Sequence, residues 1–370
     1  MRLLDRYLLR ELLMALGYCL SGFLIFWVAF DLFSELGDLQ EHKLHGSDIL
    51  EYYLVRTPEF LVIVLPMALL LALLYALTNH ARHQEITAMR AAGVSMWRLC
   101  VPYLGVGLAA SICLFALNEF WVPNTSDQAE RILNRRVQRP KKGGVATSGL
   151  ANLRERRTWL AGEYNERTSE MLNPQILWSL PDGSELWLLA SRAVRTNGVW
   201  TFFNARQYAA TSDTNSMLAP SGQTNVLAMP QFRETPEEIQ SEIRISKGMS
   251  LRGRNKADIP ISQILDYLRL HPQPADSIKP WLYTKLHGRL AMPWTCLVVV
   301  LIATPFGAAA GRRNVFVGVA SSLLICFVYF VLQQFGLALG TGGYVPAWLA
   351  AWFPNLSFGL AGLWMMARVR

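Results

Sequence analysis

Between Trp121 and Lys285 the chain contains no cysteine. That stretch therefore has no disulfide framework and no cysteine-based metal site to hold it. The five cysteines, Cys19, Cys100, Cys113, Cys296 and Cys326, all fall in or at the edge of apolar runs. Charge is scarce as well: 17% of the 370 residues are Asp, Glu, Lys or Arg, while 52% are apolar. That balance excludes an ordinary soluble protein of this length. Sequence signatures of catalysis are missing too. There is no Gly-x-x-x-x-Gly-Lys-Ser/Thr to cradle phosphates, no Gly-x-Ser-x-Gly elbow, no His-Glu-x-x-His and no Rossmann fingerprint. No enzymatic activity, no cofactor of its own and no nucleic-acid partner are expected of the chain alone.

Long apolar runs are what it has instead. Six of them, at about 12–33, 55–79, 99–120, 286–310, 315–337 and 345–366, can each cross roughly 30 Å of hydrocarbon as a helix. The first is too long for a signal-peptide core and lacks an obvious small-residue cleavage site, so it is expected to remain as an anchor. Asp31 lies near its far end, where a carboxylate facing lipid is costly and must point into the protein or toward the interface. Arg56 and Glu59 occupy the first turns of the second span, and Pro66 can kink it.

The polar middle changes period. Asn197-Gly198 separates two strand-like runs, and Asp182-Gly183 does the same, which are strong hairpin signals. A β domain is expected over about 149–254, with Leu186, Leu188, Ala190, Trp200 and Phe202 in its core and a short helix at 262–270 leading back to the membrane. The organisation is therefore 1–120 with three spans, 121–285 with the β domain and flanking linkers, one of them the basic run 131–142, and 286–370 with three spans. This is a membrane α-helical fold with an inserted all-β domain. Arginine in the short connections sets the orientation. Arg2, Arg6 and Arg10, then Arg82, Arg90 and Arg98, then Arg312 and Arg313, then Arg368 and Arg370 all fall on one side. Both termini are expected in the cytoplasm and the β domain outside.

The polar interlude 79–98 is the candidate functional segment. It carries Arg82, Glu85 and Arg90, an Ile86/Met89 pair at i,i+3 spacing, and Gly93 where a helix C-terminal glycine would sit. Two readings are open on these residues alone: a coupling helix that receives motion from a separate ATPase, or an interfacial loop on lipid headgroups. His80, His83 and Glu85 could be drawn as a metal cluster, but adjacent helical turns account for them and no metal is expected. Lys285 and Arg289, four apart at the outer mouth of the fourth span, could meet phosphates or simply snorkel. Arg56 and Asp31 complete the set of candidate substrate contacts.

Four stretches carry a family resemblance: Leu4-Asp5-Arg6-Tyr7; the segment 85–95 running from Glu85 through Arg90 and Gly93 to Ser95; Arg289 to Pro293 with Thr304-Pro305-Phe306-Gly307; and 327–334 with Pro354-Asn355. In this order, on a plan of three spans, a β domain and three spans, the chain resembles the lipopolysaccharide export permeases LptF and LptG (YjgP/YjgQ), leaning toward the G type through Lys285 and its ending. The resemblance implies a periplasmic β-jellyroll and a bacterial inner-membrane location. It also implies a second permease of the LptF/LptG type, a dimer of an LptB-like ATPase that binds ATP beneath the pair, and a periplasmic bridge of LptC/LptA type. The substrate is then lipopolysaccharide, extracted from the membrane. The interlude becomes the ATPase-coupling segment, with Arg82, Glu85, Ile86, Met89, Arg90 and Gly93 as its contact residues. In G-type members a lysine can stand near the outer end of the first span, where this chain has Asp31. Either the lipid contact is then made elsewhere or Asp31 pairs with a base such as Arg56. The competing function is a non-transporting envelope scaffold or receptor whose spans only anchor a ligand-binding β domain.

Overall fold

The computed structural model describes residues 3–42, 44–133, 135, 148–152, 157–161, 163–165, 168, 170–180, 184–196, 198–210, 219–232, 234–249, 259–272, 274–309 and 315–368. Arg2, Arg312, Arg313, Arg370, the Asp182-Gly183 pair, Asn197 and most of the basic run 131–142 lie outside these residues. The chain divides into two compact units, Met1–Val137 with Asp276–Arg370, and Gln138–Ala275.

The first unit opens with α1 (Leu3–Glu41) and α2 (Gly46–Arg82), followed by the short α3 (Glu85–Ala91), then α4 (Met96–Ala116). A π-helical turn, Leu117–Trp121, joins α4 to the amphipathic α5 (Val122–Leu133). In that turn one extra residue widens the helix and loosens a carbonyl from its regular partner. α5 packs Ala129 and Ile132 against Leu39, Tyr52, Tyr53 and Phe60 of α1 and α2. Arg135 then pairs with Glu51 at 2.7 Å. The chain thus leaves this unit roughly 43 Å along α2 from His80, at the opposite end of that helix.

The second unit is a curled antiparallel sheet of nine strands: β1 (Ser148–Asn152), β2 (Arg157–Ala161), β3 (Glu163–Asn165), β4 (Glu170–Leu172), β5 (Gln175–Ser179), β6 (Glu185–Leu189), β7 (Arg192–Thr196), β8 (Val199–Ala210) and β9 (Ala219–Met229). The order is β1-β2-β5-β6-β8-β7-β4-β3, with β9 on β8. β8 is the spine, because one of its edges pairs first with β7 and then with β6, while β9 runs along the other. The expected hairpin forms: Thr196 lies opposite Val199, and Gly198 takes the left-handed φ of +83° that such turns require. Of the expected core, Leu188, Trp200 and Phe202 are fully buried with Trp159, Met171 and Phe232, and Ala190 packs against them. α6 (Pro236–Met249) closes this core with Ile239 and Ile243, and α7 (Ile261–Leu270) packs on α6. Inside, Arg157 pairs with Glu234 at 3.3 Å and lies over the Trp178 and Phe232 rings.

The first unit resumes with α8 (Lys279–Ala291), a tight turn at Met292–Trp294, α9 (Thr295–Ala309), α10 (Val315–Thr341) and α11 (Ala347–Arg368). Five helical stretches among the described residues are long and apolar enough to cross a membrane: Leu3–Gly37, Gly46–Arg82, Met96–Thr125, Lys279–Pro305 and Leu323–Thr341. The expected sixth span is α11, whose 22 residues reach about 33 Å, though Pro354, Asn355 and three tryptophans dilute its apolar character. In its most apolar window 72% of α2 is buried, against 11% of α1 and 22% of α10. Ile25, Phe26 and Phe33 of α1 and Leu324, Phe327 and Phe335 of α10 therefore face outward. That is the side on which a spanning helix meets lipid, its own backbone being satisfied internally. Close helix contacts use small residues, as expected where lipid supplies no hydrophobic drive: a Cβ on Gly336 would stand 2.6 Å from the Ala350 carbonyl, and one on Gly362 would stand 2.9 Å from Leu301 backbone.

Candidate functional site

The interlude folds as the sequence predicts at its end. α3 stops at Ala91, Gly93 adopts φ +82°, its N–H bonds the Arg90 carbonyl at 3.0 Å and the Val94 N–H bonds the Met89 carbonyl at 3.1 Å. This paired closure is the one a left-handed glycine makes possible. At its start the chain turns through Gln84 at φ +59°, so α3 leaves α2 sharply. Ser95 then caps α4 by accepting from the Arg98 N–H.

The faces of α3 are divided in a way the sequence did not foretell. Ile86 is buried and, with Met89, lines a small crevice beside Leu8, Met96 and Tyr103, so this pair packs on the chain's own helices. Arg82, Thr87, Ala88 and Arg90 are exposed, and Trp97 beyond the glycine is 47% exposed. These form the outward surface.

Glu85 does not stand free on that surface. Its carboxylate accepts from the Tyr7 hydroxyl of α1 at 3.1 and 3.2 Å, and His80 Nδ1 of α2 lies 2.7 Å from its Oε2. The other ring nitrogen of His80 lies 3.4 Å from Glu11 of α1, and Glu11 also accepts from Asn79 at 2.6 Å. His80 is completely buried, with a carboxylate at each nitrogen. One turn away Arg98 donates to Asp5 at 2.8 Å. The start of α1, the end of α2, α3 and the start of α4 thus meet in one polar knot. Among the described residues Glu11, His80 and Glu85 are the group of three whose ligand-type atoms lie within 4.8 Å of one another. Hydrogen bonds from Asn79 and Tyr7 already engage both carboxylates. The His80/His83/Glu85 grouping drawn from sequence does not form, because His83 turns its Nδ1 to the Asn79 carbonyl.

The candidate substrate contacts fall into two places. Arg56 is held inside the unit: it donates to Asp31 at 2.9 Å, to Glu35 at 3.1 Å and to Glu59 at 3.4 Å, and its guanidinium lies over the Tyr52 and Phe60 rings. Tyr53 donates to Asp31 as well. Asp31 therefore has the base its position demands, and three carboxylates surround the one guanidinium that an incoming phosphate would need. Arg289 is also interior, 4% exposed, and donates to the Asn118 carbonyl at 3.0 Å and to its side-chain oxygen at 3.2 Å. The π turn presents that carbonyl. Lys285 is half-buried one turn earlier on α8. Tyr7, Glu11 and Asn118 were not picked out as site residues from sequence. Tyr7 belonged to a recognised motif, but contacts spanning 68 to 171 residues leave no local period to read.

The motifs at the carboxyl end also converge. Asn355 donates to the Ala291 carbonyl at 2.7 Å and accepts from Tyr329, whose hydroxyl lies 3.0 Å from Thr295.

Comparison with known proteins is consistent across the chain. The profile of the family described as lipopolysaccharide export system permease LptF/LptG matches residues 6–368. The lipopolysaccharide export system permease protein LptG of Escherichia coli (strain K12) is 23% identical over 331 residues, 86% of this chain and 84% of that protein. LptF of the same strain is 21% identical over 366 residues, 95% of this chain and 91% of that protein, and LptF of Shigella flexneri matches equally. Identities so close give no preference for the G type over the F type.

Proposed function

This chain belongs to the lipopolysaccharide export permease LptF/LptG family, and on that premise we propose that it works as the membrane half of an ATP-driven lipid extractor. It is a multi-pass membrane protein and a transporter subunit with a permease role in lipopolysaccharide transport, not an enzyme. It pairs with a second permease of its family in the bacterial inner membrane. A dimer of LptB-like ATPases binds the cytoplasmic face, both chain termini lie on that face, and the β unit lies in the periplasm. Lipopolysaccharide leaves the outer leaflet and passes to an LptC/LptA-like bridge.

The observation that carries this reading is the placement of α3. A short charged helix, closed by a left-handed glycine, presents Ala88 and Arg90 outward beside Arg82 at the end of α2, at the arginine-rich end of the helical unit. Its inner face and Glu85 are fixed to three other helices. A helix so anchored can receive force without deforming. An external energy source is needed because a lipid with several acyl chains is held by about 0.8 kcal/mol for each buried CH₂. Arg56 and Arg289 support the substrate side by shaping the interior, and Lys285 is half-buried one turn before Arg289.

Co-purification from detergent tests the reading. The intact chain should bring down a nucleotide-binding ATPase and a second permease, and Arg90→Glu should reduce the recovered ATPase while leaving permease pairing unchanged. Recovery of the wild-type chain with neither partner would favour a membrane-anchored scaffold instead.

A further inference from the structure

α1 stands apart from its neighbours. It runs for 39 residues without a proline, about 58 Å of unbroken helix. α2 is interrupted by Pro58 and Pro66, and α4 by Pro102, each of which removes a backbone hydrogen bond and permits a bend. α1 is also held by polar contacts at two separated places. Near its start Asp5 pairs with Arg98, Tyr7 donates to Glu85 and Glu11 faces His80. About 36 Å further on, Asp31 and Glu35 are gripped by Arg56, Tyr52 and Tyr53 of α2. Starting at the near anchor, a groove of about 870 Å³, lined by Tyr7, Glu11, Met14, Tyr18, Leu71 and Tyr75 among others, opens between α1 and α2.

We propose that α1 is a push-rod: bonded to α3 directly through Tyr7 and Glu85, and braced at the same end by Asp5 on Arg98 of α4, just beyond α3, and by Glu11 beside His80 of α2, it carries displacement of α3 along its own length to the Arg56 cluster at the other end. This rests on α3 being the segment an ATPase moves. The physical case is one of stiffness. Force entering α3 reaches α2 through the sharp Gln84 turn, and α2 can bend at its prolines. Force reaching α1 passes directly through the Tyr7–Glu85 bond, with the fully buried His80 of α2 seated between Glu85 and Glu11 as a brace, into a helix with no such joint. At the far end the load arrives at three carboxylates around one guanidinium, an arrangement in which a small shift changes partners. His80 and Tyr7 are positioning residues here, acting through Glu85. The opening and closing of the Arg56 cluster would then follow the nucleotide state of a motor on the opposite side of the membrane.

The experiment has two arms. In the first, spin labels are introduced at the exposed Arg6 and Ala88 through an encoded unnatural amino acid, leaving the cysteines in place, in the full chain in detergent. The expected result is a narrow distance distribution for the parent, a broad one for Asp5→Arg or for Tyr7→Phe combined with His80→Gln, and a narrow one again for the charge swap Asp5→Arg with Arg98→Asp. In the second, lipopolysaccharide released per ATP hydrolysed is measured for the complex in proteoliposomes. Asp5→Arg should lower that ratio about fivefold with the hydrolysis rate retained, and the swap should restore it. Unchanged distances and an unchanged ratio in the single variants would overturn the proposal. So would a parallel loss of hydrolysis and release that the swap does not repair. If the parent chain recruits no ATPase, the coupling reading of α3 falls, and the label distances alone then decide whether the yoke exists.

Discussion

Asn355 donates its side-chain amide to the backbone carbonyl of Ala291 at 2.7 Å, tying the middle of α11 to the break between α8 and α9. Asn355 also accepts from Tyr329, so helices α8, α10 and α11 share one buried polar joint. Asn355→Leu should leave the tyrosine hydroxyl and the carbonyl short of a partner and cost about 1–3 kcal/mol. Thermal unfolding of the full chain in detergent checks this, with Leu360→Ala, at a position 65% exposed on the same helix, as the control expected to change little.

Gly336 permits a close approach of α10 to α11. A methyl there would stand 2.6 Å from the Ala350 carbonyl, which belongs to a helix backbone and cannot step aside. Gly336→Ala should destabilise by about 1–3 kcal/mol. Gly288→Ala meets only the flexible end of Leu337 at 3.0 Å and should cost less. The two melting temperatures, compared directly, separate backbone obstruction from side-chain crowding.

Arg56 holds Asp31, Glu35 and Glu59 at 15% side-chain exposure. Arg56→Met should cost about 3 kcal/mol because it strands the carboxylates it neutralised. Adding Asp31→Asn and Glu35→Gln should recover part of that loss. A triple variant no more stable than the single one would contradict this electrostatic account.

Glu242 of α6 sits in the β-bearing unit, where burial raises its carboxyl above the ordinary glutamate range, opposed by a hydrogen bond from Tyr267 and by the nearby His271. His271 Nε2 lies 3.7 Å from it, and the imidazole stacks on Tyr267 at 4.4 Å. A raised acid favours the neutral form in the fold. Its contribution is therefore complete at low pH and is lost as pH rises through the raised value. Glu242→Gln should match the parent chain near about pH 4 and exceed it in melting temperature near about pH 7. A constant difference across that range would contradict the assignment.

Much of the architecture was legible because it depends on local pattern. Apolar length marked the spans, Asn197-Gly198 marked a hairpin whose pairing is Thr196 to Val199, and Gly93 marked the end of α3. The candidate site was legible only in outline. Charge and spacing located the segment 79–98, but the division of its faces was not readable. Ile86 and Met89 look like a partner-facing pair in sequence, yet α1 and α4 cover them. Glu85 looks like a rim charge, yet Tyr7 and His80 engage it from 78 and 5 residues away. Arg289 looks like a headgroup contact, and the π turn at Asn118 that holds it leaves no sequence signal. Long-range side-chain pairing decided each of these.

The central claim is that an exposed helix face at 82–90 receives the force that moves lipid. ATP-dependent release of lipopolysaccharide from proteoliposomes holding this chain, its partner permease and the ATPase tests it most directly, with Arg90→Glu as the probe, since Arg90 is exposed on α3 and lies outside the Tyr7–Glu85–His80 contacts. The account predicts release reduced at least about fivefold with the complex otherwise folded. Release at the parent rate would contradict it.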